Sequence, residues 1–289
     1  MKTCVSSYSY YRLVRKGEMT LFDVIDKTKE LGFDAIEFID LTPPEGVDRL
    51  EYARQIRAKC DEVGLPVASY TVGGNLLLED QEAEIERLKG QVDIAEILGA
   101  PVMRHDAAGG VPDWFDGVRT FDSVLPIIAK GCRAVTDYAE KKGIKTCTEN
   151  HGFFAQDSDR VIRLIEAVGS KNYGTLVDMG NFSCADDRSD IACGKVAPVA
   201  FHCHCKDMFV KSGQMPNPGR GWFLSRGANY IRCTIVGHGD IPVQQCLAAL
   251  KKGGYDGYCS IEFEGMEDVI EGISIGLENL KKYLANIGA

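Results

Sequence analysis

Short apolar runs alternate along the chain with longer segments in which apolar residues recur at helical spacing. Each short run begins with apolar or small residues and ends abruptly in polar ones, as a buried strand does where it reaches the edge of a parallel sheet. We predict eight strands of this kind, at residues 2–8, 35–41, 66–72, 101–105, 144–149, 175–179, 199–206 and 258–263.

The segments between the strands are amphipathic, with apolar residues at intervals of three and four positions. They predict helices at residues 21–31, 48–63, 79–98, 122–142, 158–168, 191–196, 243–252 and 267–284. A glycine suited to a left-handed C-cap follows five of these helices. The five residues are Gly32, Gly64, Gly99, Gly143 and Gly169.

Strands that alternate with helices pair in parallel through right-handed crossovers, and eight such units close into a (β/α)8 TIM barrel. A doubly wound open sheet is the alternative fold, but no G-x-G-x-x-G motif follows an early strand. We therefore predict one α/β TIM-barrel domain over residues 1–289, with a long loop inserted at about 208–236. A loop of that length is more often a functional lid or a partner surface than filler.

Composition narrows the range of functions. The 289 residues are 45% hydrophobic, which is enough for one large core. The net charge of -9 disfavours nucleic acid as a partner, because phosphate binding needs clustered Lys and Arg. No run of about 18 apolar residues is present to span a membrane, and the N-terminus lacks a secretory signal. We expect a cytoplasmic protein with a small-molecule substrate and neither a nucleic-acid nor a membrane partner.

Eleven cysteines are scattered along the chain without a C-x-x-C pair. Without that spacing or a secretory context, disulfides are disfavoured, and we predict small buried hydrophobic side chains instead. In Cys203-His204-Cys205, alternation along a strand points both thiols away from the direction of His204. We therefore expect no thiolate beside His204 in a metal site.

Four acid or imidazole residues stand near the ends of four well-separated predicted strands: Glu149, Asp178, His204 and Glu262. The C-terminal ends of parallel barrel strands meet at one face, which is the catalytic face of this fold. Any one such residue is usually part of a salt bridge, a helix cap or a solvated strand end. Four on one face indicate a single divalent metal site, and hence an enzyme.

Alternation along each strand separates residues that point into the barrel from residues that point toward the helices. The inward set is Cys147, Glu149, His151, Asp178, His202, His204, Lys206, Ser260, Glu262 and Glu264. The outward set is Thr146, Thr148, Val177, Met179, Phe201, Ile261 and Phe263. Polar side chains are therefore expected to converge inside the barrel at its catalytic end.

Five motifs, in this order, resemble the sugar phosphate isomerase/epimerase family of xylose-isomerase-like barrels. They are T-E-N-H at 148–151, V-D-M-G-N at 177–181, H-C-K-D at 204–207, G-H-G-D at 237–240 and S-I-E-F-E at 260–264. The resemblance spans essentially the whole chain. The family includes ketose 3-epimerases, inosose-processing enzymes, endonuclease-IV-type DNA repair proteins and catalytic subunits of C-glycoside deglycosidases.

The resemblance implies that Glu149, Asp178, His204 and Glu262 bind one divalent cation, Mn²⁺ with Mg²⁺, Co²⁺ or Zn²⁺ as substitutes. Three carboxylates and one imidazole agree with a hard ion on chemical grounds. The implied reaction removes a proton next to the carbonyl of a keto sugar, and the cation stabilises the enediolate. Glu149 and Glu262 would act as base and acid on opposite faces of the substrate carbon.

Two more residues are candidates for the catalytic set. His151 is a second candidate base on the same side as Glu149, and Lys206 either polarises a substrate oxygen or pairs with Asp207. The candidates for substrate binding are Glu37, His105, Trp114, Arg232 and His238.

The segment between H-C-K-D and G-H-G-D is unusually long and departs from the ketose epimerases, which leaves the substrate open. Trp222, Arg220, Arg226 and Arg232 within it would contact a sugar, an aglycone or a second subunit. We expect a homo-oligomer, with or without a small second subunit. A phosphorylated substrate stays open, because these arginines could replace the missing Gly-rich phosphate cradle at the seventh and eighth strand ends.

Isomerisation or epimerisation of a keto sugar is the main hypothesis. The alternative is the catalytic subunit of a C-glycoside deglycosidase, a lyase that cleaves a 3-keto-glycoside by β-elimination after the same proton transfer. A DNA repair endonuclease is disfavoured, because it needs three metals and many histidines, whereas this chain has five His and Asn181 where those enzymes carry another ligand. A noncatalytic sugar-binding barrel is disfavoured because all four proposed ligands are present.

Overall fold

The computed structural model describes all 289 residues, and a closed barrel of eight parallel strands lies at its centre. The first seven barrel strands are β1 (Lys2–Ser6), β2 (Ala35–Ile39), β3 (Val67–Val72), β4 (Val102–His105), β5 (Lys145–Glu149), β6 (Tyr173–Asp178) and β7 (Ala200–Cys205). The chain then forms β8 (Asp207–Lys211), β9 (Phe223–Leu224) and β10 (Tyr230–Thr234) before the eighth barrel strand, β11 (Tyr258–Ile261). Since β11 pairs with both β7 and β1, the sheet closes, and the predicted TIM barrel is confirmed.

Helices surround the barrel, and each predicted helix is present. They are α1 (Tyr11–Arg15), α2 (Leu21–Leu31), α3 (Arg49–Val63), α4 (Gln81–Leu98), α5 (Phe121–Glu140), α6 (Ser158–Val168), α7 (Asn181–Cys184), α8 (Ser189–Val196), α9 (Val243–Lys252) and α10 (Val269–Asn286). None of them combines the length and the apolar character that a membrane span requires.

The helix boundaries follow from local capping. Thr20 and Asp23 form a reciprocal capping box at the start of α2. Left-handed glycines end four helices as predicted, at Gly32, Gly64, Gly99 and Gly169. The helix α5 differs, because it ends at Glu140 and Gly143 takes its positive φ in the turn beyond.

One cluster of 71 buried residues fills the space between the strands and the helices. Inside the barrel, Val102, Cys147 and Leu176 form a small separate cluster below the catalytic end, and Phe201 packs against it. The prediction that Phe201 points toward the helices therefore needs correction. The register between β6 and β7 shifts at Thr175 and Leu176, so simple alternation fails at this strand.

The segment predicted to be a loop at 208–236 contains secondary structure. β8, β10 and β9 form a separate antiparallel sheet in that order, with Arg232 opposite Phe209 and Ile231 opposite Phe223. We call this sheet with its connections (207–234) the insertion sheet. The carboxylate of Asp207 accepts backbone N–H bonds from Met208, Gly237, Gly239 and Ile241. These bonds fasten the two ends of the insertion sheet to each other.

Candidate active site

Four residues at the C-terminal ends of barrel strands converge on one point. This quartet consists of Glu149 at the end of β5, Asp178 at the end of β6, His204 in β7 and Glu262 just after β11. One ligand atom of each residue lies within 4.8 Å of those of the other three. His204 Nδ1 is 3.8 Å from Glu149 Oε1, 3.7 Å from Asp178 Oδ2 and 3.5 Å from Glu262 Oε1. The structure therefore brings the predicted quartet together.

Two buried atoms of the quartet, His204 Nδ1 and Asp178 Oδ2, have no hydrogen-bond partner. Lys206 Nζ lies 3.2 Å from Asp178 Oδ2 but makes no hydrogen bond to it. Buried polar atoms without partners are costly unless an ion or water satisfies them. Three carboxylates and an imidazole are the donors that a hard divalent cation accepts. The residues present therefore fit one such ion.

Glu37 and His202 lie behind His204, on the side of its Nε2 atom. Glu37 accepts hydrogen bonds from His204 Nε2 at 2.9 Å and from His202 Nε2 at 2.6 Å. Burial alone would raise the pKa of Glu37, but the two imidazoles lower it well below its ordinary value. The assignment of Glu37 to substrate binding needs correction, because the side chain is fully buried and both of its oxygens are used. A carboxylate in this place orients the imidazole and leaves Nδ1 free for an ion.

Both oxygens of Glu149 have partners in the protein. Asn181 Nδ2 donates to Oε1 at 2.9 Å, and Arg104 Nη2 lies 2.7 Å from Oε2. Arg104 also bonds Asp106 Oδ1 at 2.6 Å and the carbonyl of Val72 at 3.0 Å. Burial raises the pKa of Glu149, although Arg104 opposes that shift. Glu149 is thus fixed in position. A substrate would have to compete with Asn181 or Arg104 for either oxygen of its carboxylate.

Lys206 pairs with the quartet and not with Asp207. Its Nζ atom is 2.5 Å from Glu262 Oε2 and 2.7 Å from Glu264 Oε1. Burial alone would lower the pKa of Lys206, but the carboxylates of Asp178, Glu262 and Glu264 raise it well above its ordinary value. A protonated Lys206 therefore neutralises part of the negative charge at the site, and the hypothesis of a pair with Asp207 needs correction.

His151 lies beside Glu149 at the edge of the site, with about half of its side chain exposed. Its Nδ1 atom is 3.1 Å from Asp106 Oδ1. This hydrogen bond is the largest cause that raises the pKa of His151 above its ordinary value. The other ring nitrogen, Nε2, makes no hydrogen bond to the protein, so it can face a ligand.

A cavity of about 300 Å³ opens next to the quartet. Four of its lining residues are predicted catalytic residues: Glu149, His151, Lys206 and Glu262. The polar side chains in the lining that were not among the site candidates are Tyr8, Asp40, Thr71, Arg104, Asp106 and Glu264. The site is therefore richer in carboxylates than the sequence motifs indicate.

The remaining substrate-binding candidates do not line this cavity, and these assignments need correction. His105 follows the inward-facing Arg104, so it points to the helix side, where it is fully buried near the ring of Tyr173. Trp114 donates its Nε1–H to the carbonyl of Leu77 at 3.1 Å, away from the cavity.

Two further candidates lie in or beside the insertion sheet. The guanidinium of Arg232 packs 5.0 Å from the ring of Phe209 and 5.5 Å from that of Trp222. His238 is exposed in the turn after β10 and does not reach the cavity. Arg226 bonds Asp157 Oδ2 at 2.8 Å and thereby ties the insertion sheet to the segment before α6.

All eleven cysteines are free and buried, which confirms that they are small core residues. Three of their thiols, on Cys203, Cys205 and Cys259, lie within 4.8 Å of one another. All three belong to the core between barrel and helices, so they point away from the quartet, as alternation predicts. No thiolate contributes to the quartet.

The fold agrees with comparisons to known proteins. The profile of the xylose isomerase-like TIM barrels matches residues 25–283. The rhizopine catabolism protein MocC of Rhizobium meliloti is 28% identical over 255 residues, which cover 82% of this chain and 77% of that protein.

Two solved structures have the same fold. An L-ribulose 3-epimerase superposes with a TM-score of 0.72 at 17% identity, covering 99% of this chain and 95% of that one. A xylose isomerase-like barrel from Mycobacterium smegmatis, in complex with magnesium, superposes with a TM-score of 0.71 at 18% identity over 93% of this chain and 89% of that one. The chain belongs to the xylose isomerase-like TIM barrel family.

Proposed function

We propose that this protein is a divalent-metal-dependent enzyme of the sugar isomerase/epimerase type, which removes a proton next to the carbonyl of a keto sugar. The observation that carries the proposal is the quartet around one point, with unpartnered His204 Nδ1 and Asp178 Oδ2. The quartet lies beside a polar cavity at the catalytic face of the barrel. The similarity to an L-ribulose 3-epimerase supports this class of reaction.

Glu149, Asp178, His204 and Glu262 would hold the ion, which we propose to be Mn²⁺ or Mg²⁺. When bound, such an ion would orient neighbouring sugar oxygens and stabilise negative charge that develops during proton removal. The magnesium in the similar barrel from Mycobacterium smegmatis supports this choice of metal.

The contacts of each side chain favour particular roles in proton transfer. Glu149 is engaged at both oxygens, so His151, oriented by Asp106 and free at Nε2, is the better candidate for the base. Lys206 and Glu262 form a close pair on the β7 and β11 side of the cavity. We propose that this pair polarises a substrate oxygen or exchanges the second proton.

Solvent deuterium incorporation tests this function. Protein loaded with Mn²⁺ and incubated in deuterated buffer with ketohexoses and inososes should place deuterium on the carbon next to the carbonyl. Removal of the ion by a chelator, or the change His151→Ala, should abolish the incorporation with the fold retained. His238→Ala is the matched control, because His238 is exposed and lies outside the cavity. Unlabelled sugar throughout, or labelling that survives chelation, would refute the proposal.

A second candidate function is β-elimination of the aglycone from a 3-keto-glycoside. A groove of about 180 Å³ adjoins the main cavity and shares Tyr8 and Glu264 with it. Tyr11, Arg12 and Phe263 also line the groove, which suits an aromatic group attached to the sugar. Release of the aglycone from a 3-keto-C-glycoside would establish this activity, and release that is unchanged in His151→Ala would exclude the site as its origin.

A further inference from the structure

The charge of the cavity limits the substrates that can enter it. Five carboxylates line the cavity, those of Asp40, Asp106, Glu149, Glu262 and Glu264. We infer that the substrate is an uncharged polyhydroxylated keto sugar or cyclitol, without a phosphate or a carboxylate group. This inference rests on the proposed function and deepens it by naming the substrate class.

Arg104 and Lys206 are the arginine and the lysine in the lining, and both already pair with carboxylates. Arg104 Nη2 bonds the carboxylates of Asp106 and Glu149, and its Nη1 bonds the carbonyl of Val72. Lys206 lies between Glu262 and Glu264 at 2.5 and 2.7 Å. A phosphate is normally held by free Arg or Lys donors or by several backbone N–H groups. Arg104 Nε has no hydrogen-bond partner but is buried, whereas Arg104 Nη1, Arg104 Nη2 and Lys206 Nζ already face a carboxylate or a carbonyl.

The arginines of the insertion sheet do not replace these donors. Arg226 is bonded to Asp157, Arg232 packs on aromatic rings, and neither lines the cavity. Arg220 also lies outside the lining. The hypothesis that this segment supplies a phosphate site therefore has no support in the geometry.

A divalent ion would not reverse the sign of the site. With Asp178 included, six carboxylates face Arg104, Lys206, the Arg49 that pairs with Asp40, and the two charges of the ion, which leaves an excess negative charge when His151 is the neutral base. A phosphate ester would add up to two negative charges next to these carboxylates, and like charges repel at short range. The electrostatics therefore favour a neutral ligand.

The same carboxylates suit hydroxyl groups. Oδ2 of Asp40, Oδ2 of Asp106 and the second oxygen of Glu264 make no hydrogen bond within the protein, and each residue lines the cavity. A carboxylate oxygen accepts hydrogen bonds from O–H donors. The volume of about 300 Å³ is at the lower end of small-molecule sites, which suits one sugar ring.

Paired ligands test this inference. Ketohexoses and inososes would be compared with their own phosphate esters on Mn²⁺-loaded protein, by titration calorimetry for binding and by deuterium incorporation for turnover. We expect each neutral compound that binds to do so at least about tenfold more tightly than its ester. An ester that binds equally or more tightly would overturn the inference while leaving the proposed function intact, provided that it incorporates deuterium.

Charge-neutralising variants test which carboxylates cause the preference for neutral compounds over phosphate esters. Glu264→Gln and Asp40→Asn should each reduce the preference for the neutral compound, and Glu264→Gln more strongly because it leaves Lys206 with one partner fewer. Asp113→Asn is the matched control, since Asp113 is fully exposed and pairs with Arg119. A preference that stays unchanged in both cavity variants would overturn the role of these carboxylates. Deuterium incorporation into neither class of compound would refute the proposed function itself.

Discussion

His204 has carboxylates on both sides of its ring, Glu37 at Nε2 and the rest of the quartet at Nδ1. We expect Glu37→Gln to weaken Mn²⁺ binding by about 10- to 100-fold, because the ring loses the partner that fixes its tautomer. Titration calorimetry measures the affinity. Glu84→Gln is the matched control, since Glu84 is another buried carboxylate but pairs with Arg87 on α4. Equal affinity in Glu37→Gln and the unchanged protein would show that Glu37 does not orient His204.

Asp106 is a positioning residue for His151, because their side chains are 3.1 Å apart. We expect Asp106→Asn to slow deuterium incorporation by about 100-fold, which is within the usual contribution of an acid–base group. Mn²⁺ affinity should stay unchanged, since Asp106 is not a member of the quartet. A parallel loss of Mn²⁺ binding would show that Asp106 acts only by supporting the site through Arg104.

The quartet could be predicted because strand-end acids in a parallel barrel gather at one face. Arg104 and Asp106 were missed for a local reason. The two residues before Arg104, Val102 and Met103, are both apolar, so they do not mark which face of β4 points inward. The prediction selected His105, whereas the structure turns Arg104 into the barrel and His105 toward the helices.

At the scale of the elements, Asp207 holds the two ends of the insertion sheet together. It is buried and accepts four backbone N–H bonds. We expect Asp207→Ala to lower the free energy of unfolding by about 3 kcal/mol, because buried donors lose a charged acceptor. Chemical denaturation measures the change. Asp240→Ala is the control, since Asp240 is exposed and accepts one N–H, from Val210. A cost no larger than that of the control would contradict this role.

The insertion sheet shows where pattern analysis of elements fails. β9 has two residues, too few for any alternation to appear, and Gly and Pro residues surround it. Ile231 and Cys233 in β10 are buried and alternate with Arg232, which is a usable strand pattern. A loop is predicted there because the flanking H-C-K-D and G-H-G-D motifs set the bounds of the segment, whereas this alternation is not used.

At the scale of the whole molecule, the repeated strand–helix order predicts the barrel. The homo-oligomer stays a prediction. The insertion sheet exposes Val210, Phe223 and Leu224, which are apolar side chains suited to a subunit contact. If the expected homo-oligomer forms there, Phe223→Lys with Leu224→Lys should shift sedimentation to the monomer with the fold retained. An exposed apolar residue elsewhere, Val118→Lys, is the control. An oligomer that persists in the double variant would exclude this surface.

The central claim is that distant parts of the chain hold one divalent cation at the catalytic end of the barrel. The most direct measurement is elemental analysis of the purified protein after dialysis against Mn²⁺, together with Asp178→Ala, whose fold is checked by circular dichroism. We predict about one ion per chain in the unchanged protein and none retained by the folded variant. A folded native chain without a bound ion, or equal retention by the variant, would contradict the claim.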